Sequence, residues 1–284
     1  MKIRCLILLV SMAVSGYSWS VDLQNPESIA FDSAGNRYFI SNFGSGDIIQ
    51  IDFKGNRTIF KTGLSKSLGM ILREDILYVV TSLNSVRGFT ISDGKTVFDL
   101  IVKEAIFLND ITADDAGFLY VTDSNNKSIY KIDINKKSYS LLVHTNLDNP
   151  NGIIYDKRNN RLVVCYFREM AVIDEIKLDN PKISTLVSSN LENLDGITQD
   201  ELGNFYISSW GKGSFKEGFS KHGTIYKYDN SFKNTPEIVL TGLHGPADIY
   251  FNAHKNELAI PLFLDNEVVV NSIKKLKTSA TSSP

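Results

Sequence analysis

One pattern returns along the whole chain and governs everything else that can be said about it. A short apolar strand is followed by an Asp-Gly-Asn-like turn and then a Tyr-rich strand. The pattern reads Glu27-Ser28-Ile29-Ala30-Phe31-Asp32 with Gly35-Asn36, then Asn109-Asp110-Ile111-Thr112-Ala113-Asp114 with Gly117. It recurs as Asn151-Gly152-Ile153-Ile154-Tyr155-Asp156 with Asn159-Asn160, and as Asp195-Gly196-Ile197-Thr198-Gln199-Asp200 with Gly203-Asn204. Two looser copies, Leu68-Gly69-Met70-Ile71-Leu72 and Ala247-Asp248-Ile249-Tyr250-Phe251, bring the number to six. The copies begin at 27, 68, 109, 151, 195 and 247, so the steps are 41, 41, 42, 44 and 52 residues. A step of ~40–45 residues is the length of one four-stranded propeller blade.

The longest step holds a Gly/Lys/Ser-rich insertion over 211–223. No stretch shows a long helical amphipathic period. The fold expected is therefore all-β: a six-bladed β-propeller with four-stranded blades, a single domain over residues 16–275. In blade one the later strands fall at 37–41, 47–53 and 57–61 between Gly and Asn turns. Blade six supplies only three strands, at 248–251, 257–261 and 267–273. The alternating residues 17–23 are the expected partner, an N-terminal strand that closes the ring and covers an open edge.

The flanks read as address and tail. Lys2 and Arg4 precede an apolar run over 5–14 and then small residues, the order of a secretory signal. The run is too short to span a bilayer. Cleavage after Ser15 is preferred over cleavage after Ser20, because it keeps the alternating strand; an uncleaved N-terminal anchor is the other reading. The expected organisation is a signal peptide over 1–15, the propeller, and a frayed Ser/Thr-rich tail over 276–284. The mature product is expected to be secreted or periplasmic, monomeric, and without stable membrane insertion.

Composition removes several classes of function. The 284 residues carry 30 Lys+Arg against 32 Asp+Glu, a net charge of -2, which offers no footprint for nucleic acid or an anionic membrane. The two cysteines, Cys5 and Cys165, stand in unrelated contexts and form neither a disulfide framework nor a zinc motif. Cys165 lies in an apolar run and reads as a packed thiol.

The first position of the repeat carries the chemistry. It is Glu27, Leu68, Asn109, Asn151, Asp195 and Ala247 in the six copies. Equivalent positions of a propeller lie equivalently about its axis, so these side chains should form one ring at the channel entrance. Two carboxylates and two amides converging on one volume suit a hard cation, Ca²⁺ before other divalent cations, and the absence of His and Cys argues against zinc. The competing reading is that Asn and Asp before Gly merely begin turns. Strand direction places Asn42, Ser82, Asp123, Ser209, Trp210 and Phe263 at the same mouth, with His244 in the link before blade six and Asp110 just behind the ring.

The motifs Leu108-Asn109-Asp110, Asn151-Gly152-Ile153 and Leu194-Asp195-Gly196-Ile197, with Glu27, resemble the regucalcin/gluconolactonase family of six-bladed propellers, with paraoxonases and strictosidine synthase-like proteins as more distant relatives. The resemblance implies Glu27, Asn109, Asn151 and Asp195 as ligands of one divalent cation, usually calcium, and Asp195 as the catalytic acid/base. Sugar lactonases of the family carry an Arg two residues before the blade-three Asn. Phe107 stands there in this chain, which points away from a hydrophilic sugar lactone. Blade two holds no His, so the paraoxonase histidine pair has no counterpart.

The resulting expectation is a secreted, calcium-dependent hydrolase of lactones or related esters. Asp195 is its base, and Asp110, Asp123, Phe107, Trp210 and His244 stand around the substrate. The alternative from another class is a non-catalytic propeller that binds a ligand or protein and uses the cation as a staple. A scaffold without metal is the third reading.

Overall fold

The computed structural model describes residues 21–273. Its strands form six antiparallel sheets of consecutive strands, blades of a propeller, spanning 26–61, 67–101, 108–144, 150–188, 194–243 and 250–272. Blades one to five have four strands each, and blade six has three among the described residues. The innermost strands, Pro26–Asp32, Ser67–Arg73, Leu108–Ala113, Pro150–Asp156, Leu194–Gln199 and Tyr250–Asn252, surround the axis. The one short helix is a 3-10 turn at Lys157–Asn159. Among the described residues no helix is long and apolar enough to cross a membrane.

An Asp at the end of the inner strand, or just past it, explains the recurring turn in blades one, three and five. Its carboxylate accepts backbone N–H groups of the hairpin that follows: Asp32 from Gly35 (2.9 Å), Asp114 from Phe118 (2.9 Å), and Asp200 from Leu202 and Asn204 (3.0 and 2.8 Å). Such Asx turns substitute a side chain for the missing ladder partner. They fix the hairpin at the foot of these three blades.

Six clusters of buried apolar side chains fill the six seams between adjacent blades, as alternation along each strand requires. They differ in size among the described residues. The seam between blades two and three buries thirteen hydrophobic residues, and the seam between blades six and one only five. A seventh cluster, Trp210, Ala247 and Phe263 with Phe43, Phe167, Phe219 and Leu264, lies at the channel mouth.

The expected N-terminal strand is corrected in its described part. Residues 21–23 have no strand pairing. Leu23 is buried against Ile29, Ile40, Ile49 and Ala259 in the closing seam, with Val21 packed beside it. The following backbone is bound to blade one: Gln24 N–H donates to Asn42 Oδ1 (2.7 Å), and the N–H groups of Phe43 and Gly44 donate to the carbonyls of Asn25 and Gln24. That tether holds the segment at the mouth end of blade one. Residues 17–20, the signal peptide over 1–15 and the tail over 276–284 lie outside the described residues.

Candidate functional site

The first repeat position is built by a backbone irregularity. In blade one Pro26 pairs with Asn42, but the next pair is Ile29 with Ile40, so Glu27 and Ser28 together oppose the single residue Ser41. The same extra residue recurs at Leu68-Gly69, Asn109-Asp110, Asn151-Gly152 and Asp195-Gly196. In blade six the pairs Pro246–Leu262 and Tyr250–Ala259 leave the same surplus at Ala247-Asp248. Such β-bulges re-aim a side chain out of the regular alternation. Here they turn six successive side chains toward the axis.

A belt of small polar side chains on the second strands holds the bulges. Ser28, Asp110 and Gly196 donate their N–H groups to Ser41 Oγ, Thr122 Oγ1 and Ser208 Oγ (2.9, 3.0 and 2.8 Å). Thr122 and Ser208 donate in turn to the carbonyls of Asn151 and Ala247 in the next blade (both 2.8 Å), and Cys165 Sγ donates to that of Asp195 (3.1 Å). Cys165 is thus the sulfur version of a repeat hydroxyl. Burial pushes its thiol above the usual range, which removes it as a nucleophile.

The residue after each ring position packs down the axis. Ser28, Asp110 and Asp248 share that position with Gly69, Gly152 and Gly196. The glycines are needed for space: a Cβ on Gly152 would stand 2.3 Å from the Asp195 carbonyl, and one on Gly196 2.4 Å from Asp248 Cα. The ring is therefore the floor of the mouth.

Glu27, Asn109, Asn151 and Asp195 line one cavity of ≈ 520 Å³ together with Leu68, and each is more than nine-tenths buried. Ala247, the sixth ring residue, is fully buried beside Trp210 and Phe263. No Lys, Arg or His hydrogen-bonds or forms an ion pair with the two ring carboxylates among the described residues. Burial, then Asp195 and Asp110, push the Glu27 carboxyl well above the usual carboxylate range. Burial, then Asp110, push Asp195 up to about 8. Asp195 Oδ1 is buried with no hydrogen-bond partner. The indole N–H of Trp210 faces it closely enough to offset part of that rise, yet is itself without a partner in hydrogen-bond geometry. Asn109 spends its amide N–H on Ser124 Oγ (3.1 Å), which leaves its amide oxygen for the cavity.

This donor set fits a hard cation. Two carboxylates with raised proton affinity, an orphaned carboxylate oxygen and two amides have in common a demand for positive charge in an all-oxygen shell. Among the described residues no three His, Cys, Asp or Glu side chains gather as a metal cluster by themselves. The amides of Asn109 and Asn151 are therefore integral to any cation site here.

The other expected site residues divide. Phe107 and Trp210 line the cavity, as does Phe263. Asp123 does not; its carboxylate accepts the N–H groups of Ile106 (2.9 Å), Phe107 (2.8 Å) and Asn126 (3.2 Å) and so positions the loop that carries Phe107. Asp110 lies below the floor, where its oxygens accept the N–H groups of Ile111 (2.7 Å) and Ile153 (2.8 Å) and it lines a smaller cavity of ≈ 170 Å³. Burial pushes it up to about 7. His244 stands behind the wall, Nδ1 on Asp265 Oδ1 (2.7 Å) and Nε2 against the carbonyl of Phe219 (3.2 Å), joining the insertion to blade six. Asn42, Ser82 and Ser209 are likewise engaged in loop hydrogen bonds outside the cavity.

Reading the sequence finds Phe107, Trp210 and Phe263 in the wall but not Phe43, Phe167 or the rings of the insertion. Phe43, Phe167, Trp210 and Phe263 are each the first residue past the second strand of their blade, and they form an aromatic cuff above the ring. Ring centroids lie 5.6 Å apart for Phe43–Phe263, and 5.3 Å for both Trp210–Phe263 and Phe167–Trp210. The insertion forms a small hairpin, Gly213–Ser214 with Gly218–Phe219, that adds Phe215 and Phe219 to this cuff. The recurrence of an aromatic one position beyond four second strands is the signal that identifies it.

No model of a known protein family matches the chain, and no curated protein matches it. Solved structures do. A structural-genomics protein of unknown function from Bacteroides thetaiotaomicron is similar over 90% of this chain and 71% of its own, with 15% identity and a TM-score of 0.74. Hydrazine synthase of Kuenenia stuttgartiensis matches over 90% and 79% with 14% identity and a TM-score of 0.67. A chain of the nidogen/laminin complex matches over 86% and 92% with 14% identity and a TM-score of 0.62. The protein is a six-bladed β-propeller. At these identities the likeness establishes the fold alone.

Proposed function

We propose that the chain is a divalent-cation-dependent hydrolase of lactones or related esters, with Glu27, Asn109, Asn151 and Asp195 holding the cation, calcium in the first instance, at the floor of the mouth. The observation that carries this reading is the Asp195 oxygen, buried without a hydrogen-bond partner, with only the indole N–H of Trp210 facing its carboxylate and no positive side chain paired to it. The resemblance to the regucalcin/gluconolactonase propellers supports the same ligand set. When bound, such a cation supplies Lewis-acid polarisation of an ester carbonyl and stabilises the charge that develops on its oxygen.

The protein's own groups do the rest. Asp195 accepts a proton from water as the water oxygen bonds to the acyl carbon. The acyl C–O bond then breaks and the proton passes to the departing alkoxide, so one water is consumed and one acid and one alcohol are released. Beside a cation held by the ring, Asp195 would stay the charged carboxylate that accepts this proton. The cuff above it excludes bulk water, which strengthens every charge interaction on the floor. An export signal over 1–15, delivering a monomer to the periplasm or cell exterior, belongs to this reading.

The test is the thermal midpoint of the purified protein with excess EDTA and then with Ca²⁺, followed by a panel of lactones and esters with Asp195→Asn as control. A calcium-dependent rise with turnover lost in the variant supports the proposal. No shift, together with no metal by elemental analysis, overturns it. A shift without turnover on any ester leaves a binding propeller stapled by the cation.

A further inference from the structure

Resting on that reading, we infer that the substrate is an ester or lactone bearing an aryl group, held flat in the aromatic cuff, and that Phe215 on the insertion hairpin is a specificity-determining residue.

The walls above the ring are apolar by construction. Phe43, Phe167, Trp210 and Phe263 come from four blades, and the hairpin adds two more rings at the open side. Phe215 stacks on Phe167 at 6.0 Å and 24°, and meets Trp210 at 5.7 Å and Phe219 at 5.4 Å edge-on. It nevertheless remains 72% exposed, a large aromatic held open to solvent over a cavity rather than folded into a core. An arrangement of offset and edge-on faces is what an added aromatic ring joins best.

Several polar groups of the wall are already spent, and the side-chain amides of Asn125 and Asn149 are the ones left over. Ser124 Oγ donates to the carbonyl of Pro150 (2.8 Å), and Asn193 Nδ2 donates to those of Gly211 and Gly213 (2.9 and 3.2 Å). Ser214 Oγ accepts the N–H of Glu217 (3.2 Å). The charged side chains Arg168 and Glu169 stand at the rim, and Arg168 Nε is turned to the neighbouring carbonyl of Glu169. Against the aromatic faces of the cuff the hydroxyls of a polyhydroxylated substrate would find no partner, which is unfavourable, and in the wall only the amides of Asn125 and Asn149 would answer them. A flat apolar group meets no such loss. The cavity, at ≈ 520 Å³, is large enough for a lactone ring carrying a phenyl substituent.

The experiment compares δ-gluconolactone with a phenyl-substituted δ-valerolactone in calcium, for the wild type and for Phe215→Ala, whose exposed hairpin position leaves the core intact. Calorimetry with the two corresponding lactams, in which an amide replaces the ester, reads binding apart from turnover. The expected kcat/KM ratio favours the phenyl lactone by about a hundredfold, and Phe215→Ala lowers that ratio about tenfold. Equal kcat/KM for the two lactones overturns the inference while the hydrolase reading stands. Inert lactones with the phenyl lactam bound at least tenfold tighter, and that preference lost in Phe215→Ala, uphold the cuff and overturn the hydrolase. Equal lactam affinities overturn the cuff as well.

Discussion

Two blades serve as a control for the other four. Every blade carries the same bulge at its inner edge, but blades two and six place Leu68 and Ala247 there, whereas blades one, three, four and five place Glu27, Asn109, Asn151 and Asp195. Leu68 and Ala247 sit as deeply buried as the rest. The bulge is therefore compatible with an apolar side chain, and the turn does not require Asn or Asp. What the four polar blades add is acceptor capacity, at the cost of desolvating two carboxylates, and the fold alone has no use for it.

The sharpest way to break this comparison is to move one polar blade toward the apolar state. Asp195→Asn is expected to lower turnover by about 10²–10⁴-fold, the range of a general base. In EDTA it is expected to raise the thermal midpoint at pH 7, because the amide is neutral without the proton that a buried Asp195 must take up on folding. A lower midpoint for the metal-free variant would mean that Asp195 is stabilised by something other than a cation. Next in size is the cation itself: at about a thousandfold excess over its Kd it should stabilise the fold by ~4 kcal/mol, seen as a midpoint rise on the order of 10 °C. Glu27→Leu, which imitates blade two, should abolish most of that rise.

The pH dependence sharpens the comparison further. In the metal-free protein Asp195 and Asp110 hold their protons up to about 8 and about 7, while the unfolded chain releases them near 3.8. Between those limits the folded state binds more protons than the unfolded. Stability is therefore expected to fall as pH rises from about 4 to 8, by up to ~1.4 kcal/mol per pH unit for each proton, with the buried carboxyls of Glu27 and Asp248 adding to the fall in the same direction. Calcium favours the charged carboxylates and should flatten the slope, as melting curves across pH in EDTA and in calcium will show.

Smaller effects belong to the scaffold. Ser208→Ala leaves the Gly196 N–H and the Ala247 carbonyl without their shared hydroxyl and should lower stability by about 1–3 kcal/mol. His244→Ala, behind the wall, should change stability by less than ~1 kcal/mol and leave turnover intact; a large loss of turnover would return it to the site.

The blade count and the ring were legible in the sequence because both rest on one repeated local device, a bulge followed by an Asx turn. Its small and polar residues recur at a fixed step whatever packs around them. Strand positions at the second-strand ends were legible only to within one residue, and in a strand one residue is the whole difference between two faces. Asn42, Asp123 and Ser209 point into the inter-blade loops, whereas their successors Phe43, Ser124 and Trp210 line the mouth. His244 misled for a different reason: proximity to the mouth along the chain says nothing about which side of the wall an imidazole takes. The hairpin over the mouth was visible only as an insertion, since its two-residue strands are too short to have a period.

The seam between the last blade and the first has a kinetic consequence. It joins residues about 220 positions apart: Ser28 Oγ donates to Asp248 Oδ2 at 2.6 Å, and the Asp248 N–H donates to the Glu27 carbonyl at 2.9 Å. It also has the smallest apolar cluster of the six seams among the described residues. Contacts of such long range form slowly, because the chain must close its largest loop to make them. The residue that accepts the closing hydrogen bond is Glu27, a member of the ring. During folding, the complete ring therefore exists only once the circle has shut, and a cation held by the ring, as proposed, would act as the latch that keeps this joint from reopening.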